Sequence, residues 1–184
     1  MRYAVCLCTM ATHKQRGGEV KELLMGCGSR TEKDIYIGNK DFENVTRLDI
    51  NPDHNPDIVW DLTVRPLPFL AEEFDEIHAY QVLEHLAYQG DYEFFFAEWN
   101  EYYRILKPNG LFFASVPCGV WIWGDPSHKR VIQPETLVFL DRSEYEKQIG
   151  KTTMSDFRNI YHGNFKTIYA EQTESNFNFV LQKV

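Results

Sequence analysis

Gly26, Cys27 and Gly28 end an apolar run and give way at once to polar residues in the stretch "LLMGCGSR". Glycine lets a main chain pass close to a ligand with no side chain in the way. Asp49, in "VTRLDI", stands 21 residues beyond Gly28, the interval at which the second strand of an open parallel sheet brings a carboxylate to a ribose diol. Asp61 and Leu62 follow in "PDIVWDL", where a carboxylate can reach an exocyclic amine and an apolar side chain can pack on a purine face. A lone Gly-x-Gly says little. Followed in order by two acids at strand ends, it suits a ligand that carries adenosine.

A second group lies further along the chain. His85, in "QVLEHL", offers an imidazole that titrates near neutrality and could serve as a general base; a structural role is the alternative. The polar loop "WGDPSHKR" carries His128, Lys129 and Arg130, which could hold an anionic acceptor, while Trp121 and Trp123 could stack on a ring or sugar face. The competing reading is a surface charge cluster with core-packing tryptophans.

These residues need a scaffold, and the hydrophobic pattern supplies one. Val20–Met25, Val45–Ile50, Ile58–Trp60, Phe74–Tyr80 and Gly110–Pro117 read as five short buried strands. Between the fourth and fifth, Phe95, Phe96, Trp99, Tyr103 and Leu106 recur at helical spacing until "KPNG" stops them. Strand, helix, strand in that order is a parallel crossover. "QPETLVFLDRSEYEKQI" reads as one late helix with Pro134 in its first turn. "FKTIYAEQ" and "FNFVLQKV" alternate as an antiparallel hairpin at the sheet edge. Ser29–Asn44 should hold the first crossover helix, but poor periodicity and a central glycine make that helix short or absent.

The chain of 184 residues is read as one domain, 1–184, with residues 1–18 an extension of uncertain structure. Its formal net charge of −8 disfavours bulk nucleic acid as a partner. Cys6, Cys8, Cys27 and Cys118 lack zinc-site spacing, and Cys6 and Cys8 would share one side of a strand, so no metal and no disulfide is expected, in keeping with a reducing cytoplasm. No apolar run is long enough to span a bilayer, and the short apolar start lacks a cleavage pattern, so neither membrane nor secretion is expected.

At "LLMGCGSR", "VTRLDINPDHNPDIVWDL", "FDEIHAYQVLEHL", "RILKPNGLFFASVP" and "GDPSHKRVIQPETL" the sequence resembles the class I S-adenosylmethionine-dependent methyltransferases, in particular a small branch found in phages or near sugar-processing genes. The resemblance spans roughly residues 20–140. It implies a Rossmann-like three-layer α/β sandwich with a seven-stranded, mostly parallel sheet and a reversed C-terminal hairpin. It implies S-adenosyl-L-methionine as cofactor and S-adenosyl-L-homocysteine as product. Gly26, Cys27 and Gly28 would line the methionine portion, Asp49 with the adjoining Ile50 would hold the ribose side, and Asp61 with Leu62 would frame the adenine. Tyr80 and Gln81 would lie beside the transferred methyl, with His85 close by as the candidate base for a small-molecule acceptor, a sugar or acid among the possibilities.

Two positions depart from the family pattern. Leu24 stands where relatives carry an acid, and Arg30 where a third glycine is common; Arg30 could pair with the cofactor carboxylate or be a solvated loop residue. Pro117-Cys118 sits after the fifth strand, whereas cytosine-C5 methyltransferases place their Pro-Cys nucleophile after the fourth, so Cys118 reads as a buried or pocket-lining thiol. The amino-methyltransferase signature is missing, "AYQV" standing in its place. A metal-dependent catechol-type site would want several carboxylates past the fourth strand, where Glu84 alone appears. The alternatives are an inactive cofactor-binding module and a nicotinamide-dependent oxidoreductase, the latter weakened by Thr31 at the position of its third glycine.

Overall fold

The computed structural model describes residues 19–184. The expectations for Cys6, Cys8 and the extension 1–18 lie outside those residues. The strands read from the pattern all form. β1 (Lys21–Met25) pairs in parallel with β2 (Asn44–Asp49) on one side and β4 (Phe74–Tyr80) on the other. β3 (Ile58–Val59) extends the sheet beyond β2, and β5 (Leu106–Pro117) lies beyond β4. The hairpin of β6 (Phe165–Gln172) and β7 (Asn176–Lys183) completes the order β3-β2-β1-β4-β5-β7-β6, with β7 the antiparallel strand. The chain order reverses between β1 and β4, so their carboxyl ends flank the crevice where open sheets of this kind take ligands.

One sheet face is covered by α1 (Tyr92–Ile105), whose first turn is capped by Asp91 accepting from the Phe94 N–H at 3.0 Å. The buried stripe of α1 is Phe96, Trp99, Tyr102 and Ile105, packed on Phe112 and Ala114 of β5. Phe95 and Tyr103 flank it. Leu106 leaves the helix and begins β5, because the KPNG signal ends α1 one residue earlier than the apolar spacing suggests. Lys107–Gly110 then bulges: Leu106 faces Phe74, while Leu111 already faces Glu76.

The late helix is broken in two, α2 (Pro134–Leu137) and α3 (Arg142–Gln148). Two bonds divide it. The Phe165 N–H donates to the Leu140 carbonyl at 2.9 Å, taking that oxygen out of any helical ladder, and Asp141 caps α3 by accepting from Glu144 N–H at 3.1 Å.

On the other sheet face, Leu24, Cys27, Tyr80, Leu111, Phe113 and Val180 are buried under Ile35, Ile37 and Phe42. Those three come from residues 29–43, which form an irregular loop closed by a bridge between Glu32 and Asp41. The crossover helix is absent. A buried polar network replaces its packing: Lys33 is ion-paired with Glu22 and, at 3.3 Å, with Glu76, and His78 lies 3.1 Å from Glu76 and 2.8 Å from the Tyr80 hydroxyl. The Tyr80 O–H donates to the Ile35 carbonyl at 2.9 Å. Among the described residues no helix is long and apolar enough to cross a membrane.

Candidate functional site

The turn after β1 is built from two left-handed glycines, with φ of +57° at Gly26 and +48° at Gly28. They serve different needs. A Cβ on Gly26 would lie 2.4 Å from Val82 Cγ2, whereas one on Gly28 would enter open space. The Gly28 N–H donates to Asp49 Oδ2 at 2.8 Å, and the Arg47 guanidinium donates to the Gly28 and Arg30 carbonyls at 3.1 and 2.7 Å. Arg47 escapes the sequence reading; it holds the outside of the loop so that its inner surface stays clear.

Asp49 is buried, and its carboxylate also accepts from Asn51 N–H at 2.9 Å and lies 3.2 Å from His54 Nδ1. Burial alone would raise its pKa; the bonds from Asn51, Gly28 and His54 outweigh that and lower it. Three of the roughly four lone-pair positions of a carboxylate are thus engaged, leaving one for a hydroxyl. Ile50, next in sequence, is 64% exposed. Asp61 takes both the Thr63 N–H and hydroxyl on Oδ1, at 2.8 and 2.7 Å, and no described residue bonds its Oδ2. An open glycine cradle, a carboxylate with one free acceptor position, a bare isoleucine and a second acid fit an adenosine-bearing cofactor.

Beside the ends of β4 and β5 lies a cavity of about 390 Å³ whose lining includes Gln81, Glu84, His85, Trp121, His128 and Asn176. Gln81 has φ of +58°, and its amide donates to Ser115 Oγ and Asn176 Oδ1, both at 3.2 Å. The 3-10 turn Leu83–His85 is tied to the later loop, because Lys129 N–H and Arg130 N–H both donate to the Glu84 carbonyl, at 2.8 and 3.3 Å. His85 and His128 consequently meet edge to face with ring centres 4.9 Å apart. Burial lowers the His85 pKa, assisted by His128, and favours its neutral form. Burial pushes the Glu84 carboxyl up to about 7.

A family of proteins described as "Methyltransferase domain" matches residues 23–114, half of the chain and the half that carries the glycine turn, Asp49 and the Leu83–His85 turn. The chain belongs to the class I S-adenosylmethionine-dependent methyltransferases. Among solved structures, it is similar to a SAM-dependent methyltransferase from Archaeoglobus fulgidus, at 16% identity with 96% of this chain and 92% of the other covered and a TM-score of 0.55. The [4+2]-cyclase SpnF gives a TM-score of 0.55 at 14% identity, covering 96% and 79%. The methyltransferase CalH, solved with S-adenosylhomocysteine, gives 0.54 at 14%, covering 90% and 51%. At such identities these likenesses establish the fold. No curated protein sequence matches.

Within this methyltransferase fold several expected roles move. Arg130 is 5% exposed; its guanidinium forks onto Glu98 at 2.7 and 2.9 Å, and Nε donates to the Leu83 carbonyl at 2.6 Å. It braces the Leu83–His85 turn and is not among the residues that line the cavity beside β4 and β5. Trp123 is 64% exposed and lies outside the cavity lining, while Trp121 lines it; Lys129 sits on the surface over the Tyr88 ring at 5.5 Å. Tyr80 is 3% exposed because strand alternation sends it, with Glu76 and His78, to the face under loop 29–43. Cys27 buries its thiol on that same face, so only its main chain borders the cradle. Leu62 packs into the main core. Arg30 is ion-paired with Asp34 and stacks over Tyr80 at 5.0 Å. Cys118 is buried, its Sγ donating to the Thr173 carbonyl at 3.4 Å. Glu22, on the same side of β1 as Leu24, is committed to Lys33 and so does not replace the family acid.

Proposed function

We propose that the protein transfers a methyl group from S-adenosylmethionine to a small-molecule acceptor held in the cavity between Gln81, His85, Trp121, His128 and Asn176. The observation that carries this reading is the position of that cavity at the ends of β4 and β5, next to the strand ends that bear the glycine turn and Asp49. S-adenosylmethionine, when bound, supplies a methyl group already activated by its sulfonium. Gly26 and Gly28 let the main chain approach the amino-acid tail; Asp49 accepts from the ribose, Ile50 packs against the base, and Asp61 Oδ2 accepts from an exocyclic amine. The chain's remaining task is to orient the acceptor and exclude water. Gln81, fixed by Ser115 and Asn176, borders the methyl, and Trp121 offers a flat apolar wall.

The two described cysteines are buried free thiols, in keeping with the cytoplasmic setting that we propose. Calorimetric titration with S-adenosylhomocysteine, followed by detection of that product when the protein and S-adenosylmethionine are incubated with hydroxyl- and carboxyl-bearing metabolites, tests the reading. Binding with acceptor-dependent product supports it. Binding without turnover on any acceptor would favour a regulatory module.

A further inference from the structure

We propose that Glu84, His85 and His128 form a binding site for a divalent transition-metal ion on the acceptor side of the cavity. Their ligand atoms all lie within 4.8 Å of one another. Ligands placed about 2.1 Å from one ion stand about 3 to 4.2 Å apart, and His85 Nε2 lies 3.9 Å from Glu84 Oε1.

The second observation is independent of that spacing. Glu84 is 1% exposed, borders the cavity, and neither of its carboxylate oxygens has a hydrogen-bond partner. A buried carboxylate without a donor is costly and calls for a counter-group. No neighbour donates a hydrogen bond to it: the nearby Arg130 guanidinium lies against Glu98 and donates through Nε to the Leu83 carbonyl.

The hydrogen bonds at Nδ1 leave Nε2 of both imidazoles available as a ligand. His128 Nδ1 lies 2.6 Å from the Ile122 carbonyl, which can only accept, so Nδ1 carries the proton and Nε2 the lone pair. The Ser127 hydroxyl donates to Asp125 Oδ1 at 2.6 Å, so its oxygen accepts from His85 Nδ1 at 3.1 Å and again Nε2 is left with the lone pair. A metal-binding histidine is held by such outer partners. The other close cluster, Glu22, Glu76 and His78, differs in that the Lys33 ammonium already sits among its carboxylates.

Two imidazoles and one carboxylate select a first-row transition ion or zinc over magnesium or calcium. Three protein ligands leave positions open toward the cavity. A hydroxyl-bearing acceptor fits there. This extension rests on the methyltransferase reading: the acceptor oxygen, with its pKa lowered by the cation, releases its proton to solvent and forms the new bond to the methyl carbon, while the carbon–sulfur bond breaks and its electron pair stays on sulfur as a neutral thioether.

The test uses the full chain without a polyhistidine tag, stripped with chelator and titrated with Co²⁺ by calorimetry and visible absorption, alongside Glu84→Gln and His128→Ala. The proposal expects one equivalent of Co²⁺ with ligand-field bands, at least tenfold weaker binding in each variant, and S-adenosylhomocysteine affinity within about twofold of the parent, which also reports that the variants are folded. No stoichiometric Co²⁺ binding to the parent, or equal binding by both variants, overturns it. Co²⁺ binding in a protein that ignores S-adenosylhomocysteine would uphold the metal site and remove the methyltransferase reading instead.

Discussion

At the scale of single residues, the two glycines of the turn can be told apart by experiment. Gly26→Ala adds a methyl group 2.4 Å from Val82 at φ of +57°, so it should destabilise the fold by about 1–3 kcal/mol in denaturant melts. Gly28→Ala meets no protein atom within 4 Å and should cost only the left-handed strain of about 1 kcal/mol, yet it should weaken S-adenosylhomocysteine binding tenfold or more. Equal cofactor affinity in Gly28→Ala would mean that the open space there is not the cradle. Asp49 has a pH signature. Its folded pKa is depressed, so the stability it contributes is present above its ordinary value of 3.8 and is lost as pH falls through the lower folded value. Thermal melts from pH 7 downward should show a steeper loss below about pH 4 in the parent than in Asp49→Asn.

Among elements, the unusual one is the loop over the second sheet face, where a crossover helix would ordinarily pack. Lys33 is its anchor. Lys33→Ala removes the buried cation paired with Glu22 and should destabilise by about 3–5 kcal/mol, measured by urea unfolding. Strand β5 was legible because its second half is a continuous apolar run bounded by turn residues, and β1, β2 and β4 because their apolar residues, interleaved with polar ones in β2 and β4, end at turn signals. Asp49 and the glycines were legible for the same reason, being fixed to strand ends. The break between α2 and α3 was not, since the Phe165 bond that divides them comes from a strand far along the chain. Nor was the meeting of His85 with His128. It depends on the main-chain bonds from Lys129 and Arg130 to Glu84, made beside a buried pair between Arg130 and Glu98, 32 residues apart, whose charges look like surface residues in sequence. Arg130→Met should therefore loosen the Leu83–His85 turn and lower the melting temperature, although the sequence offers Arg130 either to an acceptor or to a surface charge cluster.

Over the whole molecule, the sheet order puts the glycine turn, the acid of β2 and the acceptor cavity around one crevice where the strand order reverses. A ligand that binds there and only to the folded chain must stabilise it: at a hundredfold excess over Kd the gain is about 2.7 kcal/mol, seen as a rise of several degrees in Tm. The same shift should be absent with NAD. The most direct measurement is calorimetric titration of S-adenosylhomocysteine into the full chain and into Asp49→Ala. One site per chain, with affinity at least tenfold lower in the variant, is the expected result. No heat of binding in the parent, or the same affinity in Asp49→Ala, would contradict the placement of the cofactor between the glycine turn and Asp49.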